Sequence, residues 1–82
     1  MNKTNGQPDL SSARIFLVDD EITNLKLLDK TLSIHGYPNV VLIQDPREVI
    51  PRYKEKRPDL ILLDLNMPHL SGFEVMEQLH EL

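Results

Sequence analysis

Three acidic residues in this 82-residue chain draw attention by where they fall. Asp19 and Asp20 directly follow the run Ile15-Phe16-Leu17-Val18, and Asp64 directly follows Leu60-Ile61-Leu62-Leu63. Short unbroken apolar runs read as strands buried on both faces, as in a parallel sheet. A carboxylate at the C-terminal end of such a strand stands where open α/β sheets bind their ligands. In a parallel sheet all those ends share one edge, so neighbouring first and third strands would bring Asp19, Asp20 and Asp64 together. Like charges that close repel each other unless a cation lies between them. A ligand set of oxygen alone selects a hard ion such as Mg²⁺, which keeps several waters and leaves room for a phosphate oxygen. Each Asp taken singly also has a structural reading, because Asp caps helices and favours turns. Their joint position at matched strand ends favours a site.

The elements that must position these acids follow from the pattern around them. Residues 1–13 are polar and aperiodic and read as a flexible N-terminal tail; a single domain would occupy residues 14–82. After the first strand, Leu25, Leu28 and Leu32 form one helical stripe, with Leu27, Thr31 and Ile34 beside it. Gly36 and Pro38 stop that helix. Val40 to Ile43 is a second strand. Asp45 caps the next helix, Pro46 takes its first position, and Glu48 completes a capping box. Val49, Ile50 and Tyr53 supply its apolar face. Pro51 interrupts this helix at a cost of about 3 kcal/mol in a helix interior, which predicts a kink or an irregular first turn. The third strand, Leu60 to Leu63, ends at Asp64, and Pro68 bars its continuation. Ser71 and Glu74 form a second capping box, opening a helix with Phe73, Met76 and Leu79 inward and Val75 and Leu82 beside them. The order β-α-β-α-β-α implies parallel strands and right-handed crossovers.

Composition narrows the class of function. Hydrophobic residues make up 40% and charged residues 27% of the chain, as in a soluble globular domain. No apolar run approaches the roughly 18 residues of a membrane span, and no signal peptide is visible, so a cytoplasmic location without membrane contact is expected. With no cysteine and a net charge of −4, thiolate metal sites are excluded and nucleic acid is not an expected partner. Arg52, Lys54, Lys56 and Arg57 cluster near one helix end, where cations interact favourably with the helix dipole.

Competing motifs fail on particular residues. A Ca²⁺ loop beginning at Asp64 would need Gly where His69 stands and Glu where Val75 stands. A phosphate-cradling loop needs clustered glycines, and the only glycines are Gly6, Gly36 and Gly72. His35, His69 and His80 have no metal-type or catalytic-triad spacing.

Ile-Phe-Leu-Val-Asp-Asp-Glu at 15–21, Glu-x-x-Asn-Leu at 21–25 and Asp-Leu-Asn-Met-Pro-His-Leu-Ser-Gly at 64–72 together resemble the receiver domain of two-component response regulators. The resemblance extends from about Arg14 to Leu82. It implies an α/β, flavodoxin-like, doubly wound parallel sheet of order 2-1-3-4-5, of which this chain holds the N-terminal portion, β1-α1-β2-α2-β3-α3. It implies that Asp64 is the phosphoacceptor and that Asp19, Asp20, Asp64 and the backbone carbonyl of Asn66 hold Mg²⁺. Pro68 and Gly72 match the family's loop and helix-start positions. The implied partner is a sensor histidine kinase or phosphotransfer protein, and the implied role is signalling rather than enzymatic turnover. The family's Ser or Thr after the fourth strand and Lys after the fifth have no counterpart; Thr23 and Lys26 do not match them. Two further readings stay open. One is a phosphorylation-independent interaction module that associates with itself through the exposed third-strand edge, as a dimer or higher oligomer. The other is a small Mg²⁺-dependent phosphohydrolase, disfavoured because no general base is placed beside Asp64.

Overall fold

The computed structural model describes residues 10–65, 67 and 70–82. A short 3₁₀ turn, Leu10–Ser12, precedes β1 (Ile15–Val18), α1 (Ile22–Ile34), β2 (Val40–Ile43), α2 (Val49–Glu55), β3 (Leu60–Leu63) and α3 (Gly72–His80). The strands form one parallel sheet in the order β2-β1-β3, with Ile15 level with Val40 and Leu60, and Val18 level with Ile43 and Leu63. β1 is therefore the central strand, and all its residues are buried.

Alternation along β1 divides the core into two layers. Ile15 and Leu17 pack with Leu25 of α1, flanked by Leu32, Tyr37, Val40 and Leu42. Phe16 and Val18 face the other way, against Ile43, Val49 of α2, Met67 and Val75 of α3. Only one stripe of α1 is used: Leu25 is buried and Leu32 half-buried, whereas Leu27, Leu28 and Ile34 are exposed. The expected second stripe of α1 thus meets no layer among the described residues.

Helix ends follow the local chemistry. Gly36 has φ of +92°, the left-handed conformation that glycine tolerates. It lets the Tyr37 N–H reach the Leu32 carbonyl at 2.9 Å and its own N–H reach Ser33 at 3.1 Å, closing α1. Asp45 accepts from the Arg47 N–H at 2.9 Å, but the turn it caps is a 3₁₀ turn, Pro46–Glu48. The capping box expected of Glu48 does not form; its carboxylate pairs with Arg52 at 3.2 Å instead. α2 starts only after this turn, so Pro51 is its third residue. The first four N–H groups of a helix have no intrahelical acceptor, so the missing N–H costs little there. The irregular turn expected from Pro51 is this 3₁₀ segment.

Two burial expectations need correction. β3 is not buried on both faces: Leu60 is 49% and Leu62 37% exposed, because β3 is an edge strand and α1 packs mainly on β1 and β2. In α3 the inward residue is the fully buried Val75, with Leu79 half-buried, while Phe73 is 64% and Met76 51% exposed. The helix lies against α2 and the turn before it, and that rotation points Phe73 and Met76 away from the core.

Candidate phosphoryl and metal site

β1 and β3 are adjacent and in register, so Asp19 and Asp64 stand level at the same sheet edge. The Asp19 N–H donates to Ile43 at 3.1 Å and the Asp64 N–H to Val18 at 2.9 Å. Both backbones are thus tied into the sheet up to the acidic residue itself. Asp20 follows, and carboxylate oxygens of Asp19, Asp20 and Asp64 all lie within 4.8 Å of one another. All three residues are half-buried.

Neutral donors fix this arrangement. The Asp19 carboxylate accepts from the Glu21 N–H at 2.9 Å and from the Asn24 side-chain amide at 3.3 Å. These bonds orient it without cancelling its charge. The Gln44 amide donates to the Asp20 carbonyl at 3.1 Å, pinning the turn after β1 to the end of β2. No role for Asn24 or Gln44 at the site follows from the sequence motifs alone. Gln44 was findable, since it directly follows β2 at the same edge as the acids.

The loop after Asp64 returns closely over the strand end. The Gly72 N–H donates to the Leu65 carbonyl at 3.3 Å. A Cβ on Gly72 would collide with the Asp64 carbonyl oxygen and approach the Leu65 Cα to 2.7 Å. Only glycine permits this approach of α3 to the acidic tip. Met67, buried in the core, anchors the loop from below. Ser71 accepts from the Glu74 N–H at 3.2 Å and Glu74 accepts from the Ser71 N–H at 3.0 Å, forming the expected capping box. The sequence therefore places four of its candidate residues together here: Asp19, Asp20, Asp64 and Gly72. Asn66, Pro68 and His69 lie outside the described residues.

The cluster has the chemistry of a hard-cation site. Two oxygens bound to one Mg²⁺ at 2.0–2.1 Å stand at most about 4.2 Å apart. Oxygens already within 4.8 Å need only a small rotation to meet that span. Among the described residues the group is Asp19, Asp20 and Asp64, a donor set of carboxylate oxygen.

A model of the response regulator receiver domain matches residues 15–82. The chain belongs to the response regulator receiver domain family. Response regulator MprA of Mycolicibacterium vanbaalenii is 44% identical to it over 66 residues, covering 80% of this chain. Among solved structures, the chemotaxis protein CheY4 of Vibrio cholerae matches this receiver chain with a TM-score of 0.79 at 33% identity over 85% of its length. A response regulator structure, that of histidine kinase ThkA in complex with response regulator protein TrrA, matches with a TM-score of 0.77 at 32% identity over 84% of the chain. The receiver chain spans 28% of the MprA relative, 57% of the matched CheY4 chain and 59% of the chain matched in the kinase complex. No helix among the described residues is long and apolar enough to cross a membrane.

Proposed function

We propose that this receiver accepts a phosphoryl group on Asp64 from a phosphohistidine of a sensor histidine kinase or phosphotransfer protein, in an Mg²⁺-dependent reaction within a longer protein. The observation that carries the reading is the convergence of Asp19, Asp20 and Asp64 at the shared end of β1 and β3. In the transfer an Asp64 carboxylate oxygen bonds to phosphorus, the phosphorus–nitrogen bond of the donor breaks, and the electron pair leaves with its imidazole. Asp19, Asp20, Asp64 and the Asn66 carbonyl would hold Mg²⁺. When bound, the ion supplies positive charge against the phosphoryl oxygens. Asn24 holds the Asp19 carboxylate in place, and Gly72 lets α3 close over the Asp64 backbone. The kinase bound to TrrA supports a kinase as the donor for this chain too.

The test is labelling by acetyl phosphate, in this chain and in a longer polypeptide that adds a fourth and fifth strand. Label is expected on Asp64 alone, lost in Asp64→Asn and on chelation of Mg²⁺, and faint in this chain by itself. Undiminished labelling of the Asn variant, or none in the longer polypeptide, overturns the assignment. The open side of β3, where Leu60 and Leu62 are exposed, favours a second reading in which the chain associates with itself.

A further inference from the structure

A separate cavity lies at the opposite end of the sheet from the acidic cluster. It is bordered by Arg14 just before β1, Phe16 of β1, Val41 of β2, Arg52 and Glu55 of α2, and the C-cap Lys56. Its volume of about 360 Å³ falls within the roughly 300–1,000 Å³ of small-ligand pockets. Phe16 is buried and Val41 half-buried, and both belong to the core layer beneath α2, so the floor is apolar and fixed. Strands added in the family order join at β3, so β2 stays the outer strand and none of them comes between the walls of this cavity.

The rim is cationic and only partly neutralised. Arg52 pairs with Glu48 at 3.2 Å. Arg14 and Lys56 have no carboxylate within ion-pair distance among the described residues, although Glu55 borders the same cavity. Asp59 lies nearby, but its carboxylate accepts the backbone N–H of Arg14 at 2.8 Å. The Arg14 Nη1 donates to the Arg57 carbonyl at 3.0 Å, which holds the guanidinium beside the end of α2 and uses one of its five N–H donors. Complementarity with the helix dipole accounts for cations at the end of α2. It does not require them to ring a cavity with an apolar floor.

We propose that this cavity binds a phosphomonoester that carries an apolar or aromatic substituent. The phosphate takes the Arg14 guanidinium and the Lys56 ammonium, and the substituent lies on Phe16 and Val41. Arg14 and Lys56 belong to different elements, so their donors reach an anion from two walls. A phosphate offers three terminal oxygens to such donors, whereas the two oxygens of a carboxylate are filled by one guanidinium fork. A phosphomonoester also carries about −1.5 to −2 charge at pH 7, and so gains more from two cations than a monoanion does. Glu55 on the same rim opposes binding and limits its strength. The site is independent of phosphoryl transfer, because Asp64 ends β3 at the other edge of the sheet.

Phenyl phosphate titrated into the isotopically labelled chain, with a chelator present, tests this through the amide resonances. Saturable shifts are expected at Arg14, Phe16, Val41 and Lys56, and the same affinity in Asp64→Asn. Benzoate, which lacks the second charge, and inorganic phosphate, which lacks the ring, should each bind several-fold more weakly. Lys56→Gln should weaken phenyl phosphate binding about tenfold, and Glu55→Gln should tighten it. Neither side chain is in an ion pair among the described residues, so both variants should melt like the wild type. No saturable shift in the wild type under a large excess of phenyl phosphate overturns the proposal, whatever the variants do. So does equal affinity in Lys56→Gln, or benzoate binding as tightly as phenyl phosphate. Binding that disappears in Asp64→Asn places the ligand at the acidic edge and overturns it as well.

Discussion

Replacing Gly72 by alanine sets two effects against each other, and the structure decides the sign. Gly72 is the first residue of α3, and alanine in place of glycine gains up to about 0.5–1 kcal/mol in a helix interior. The gain is smaller in a first turn, where the backbone is less constrained. Against it, the new methyl collides with the Asp64 carbonyl oxygen and the Leu65 backbone, which are main-chain atoms and cannot rotate away. Overpacking of this kind costs about 1–3 kcal/mol. The net expectation is a loss of about 1–2 kcal/mol, with each kcal/mol lowering the Tm of a domain this size by about 4–8 °C. Thermal unfolding followed by circular dichroism measures it. Gly36→Ala is the control: its methyl meets open space, but φ of +92° strains it, at a cost of about 1 kcal/mol. The two variants should part at the acidic site. Gly72→Ala should move the Asp64 and Leu65 amide resonances, and Gly36→Ala should leave them in place. A Gly72→Ala chain that melts at or above the wild type would show that the close approach of α3 to Asp64 carries no constraint.

Ser71→Ala removes one half of the capping box and should cost about 0.5–2 kcal/mol in thermal unfolding. Val75→Ala, at a fully buried position, should cost about 2 kcal/mol, while Ile34→Ala, at an exposed one, should stay within about 0.5 kcal/mol. Asn24→Ala frees the Asp19 carboxylate from its amide donor, so it should weaken Mg²⁺ binding while leaving the melting temperature nearly unchanged; equal affinity would remove Asn24 from the site.

The strands and the acidic cluster were legible because their signals are local and strong. Four-residue apolar runs ending in Asp placed β1 and β3 to the residue, and parallel topology then required their tips to meet. Gly36 and Ser71 marked helix ends by chemistry that does not depend on the rest of the fold. What depended on tertiary neighbours was not legible. The stripe Phe73, Met76 and Leu79 has helical spacing, but spacing cannot say which side of α3 the next layer lies on. Val75 faces the core because α3 rests against α2. The run at β3 has a central strand's composition and an edge strand's position. Asp45 and Glu48 matched a capping box in sequence, yet Pro51 moved the start of α2 past them, and Glu48 found Arg52 instead. Gln44 carried no motif; its place after β2 put it at the acidic edge, but its bond to the Asp20 carbonyl followed only once β2 was laid beside β1.

Whether Asp19, Asp20 and Asp64 hold Mg²⁺ together, as proposed, is decided by a metal titration. Amide resonances of the isotopically labelled chain would be followed as Mg²⁺ is added, for the wild type and for Asp19→Asn, Asp20→Asn and Asp64→Asn. Saturable shifts centred on these three residues are expected, reversed by a chelator and weakened in every one of the three variants. Resonances that stay fixed in a large excess of Mg²⁺, or that shift equally at remote acids such as Asp29 and Glu81, would contradict the proposal.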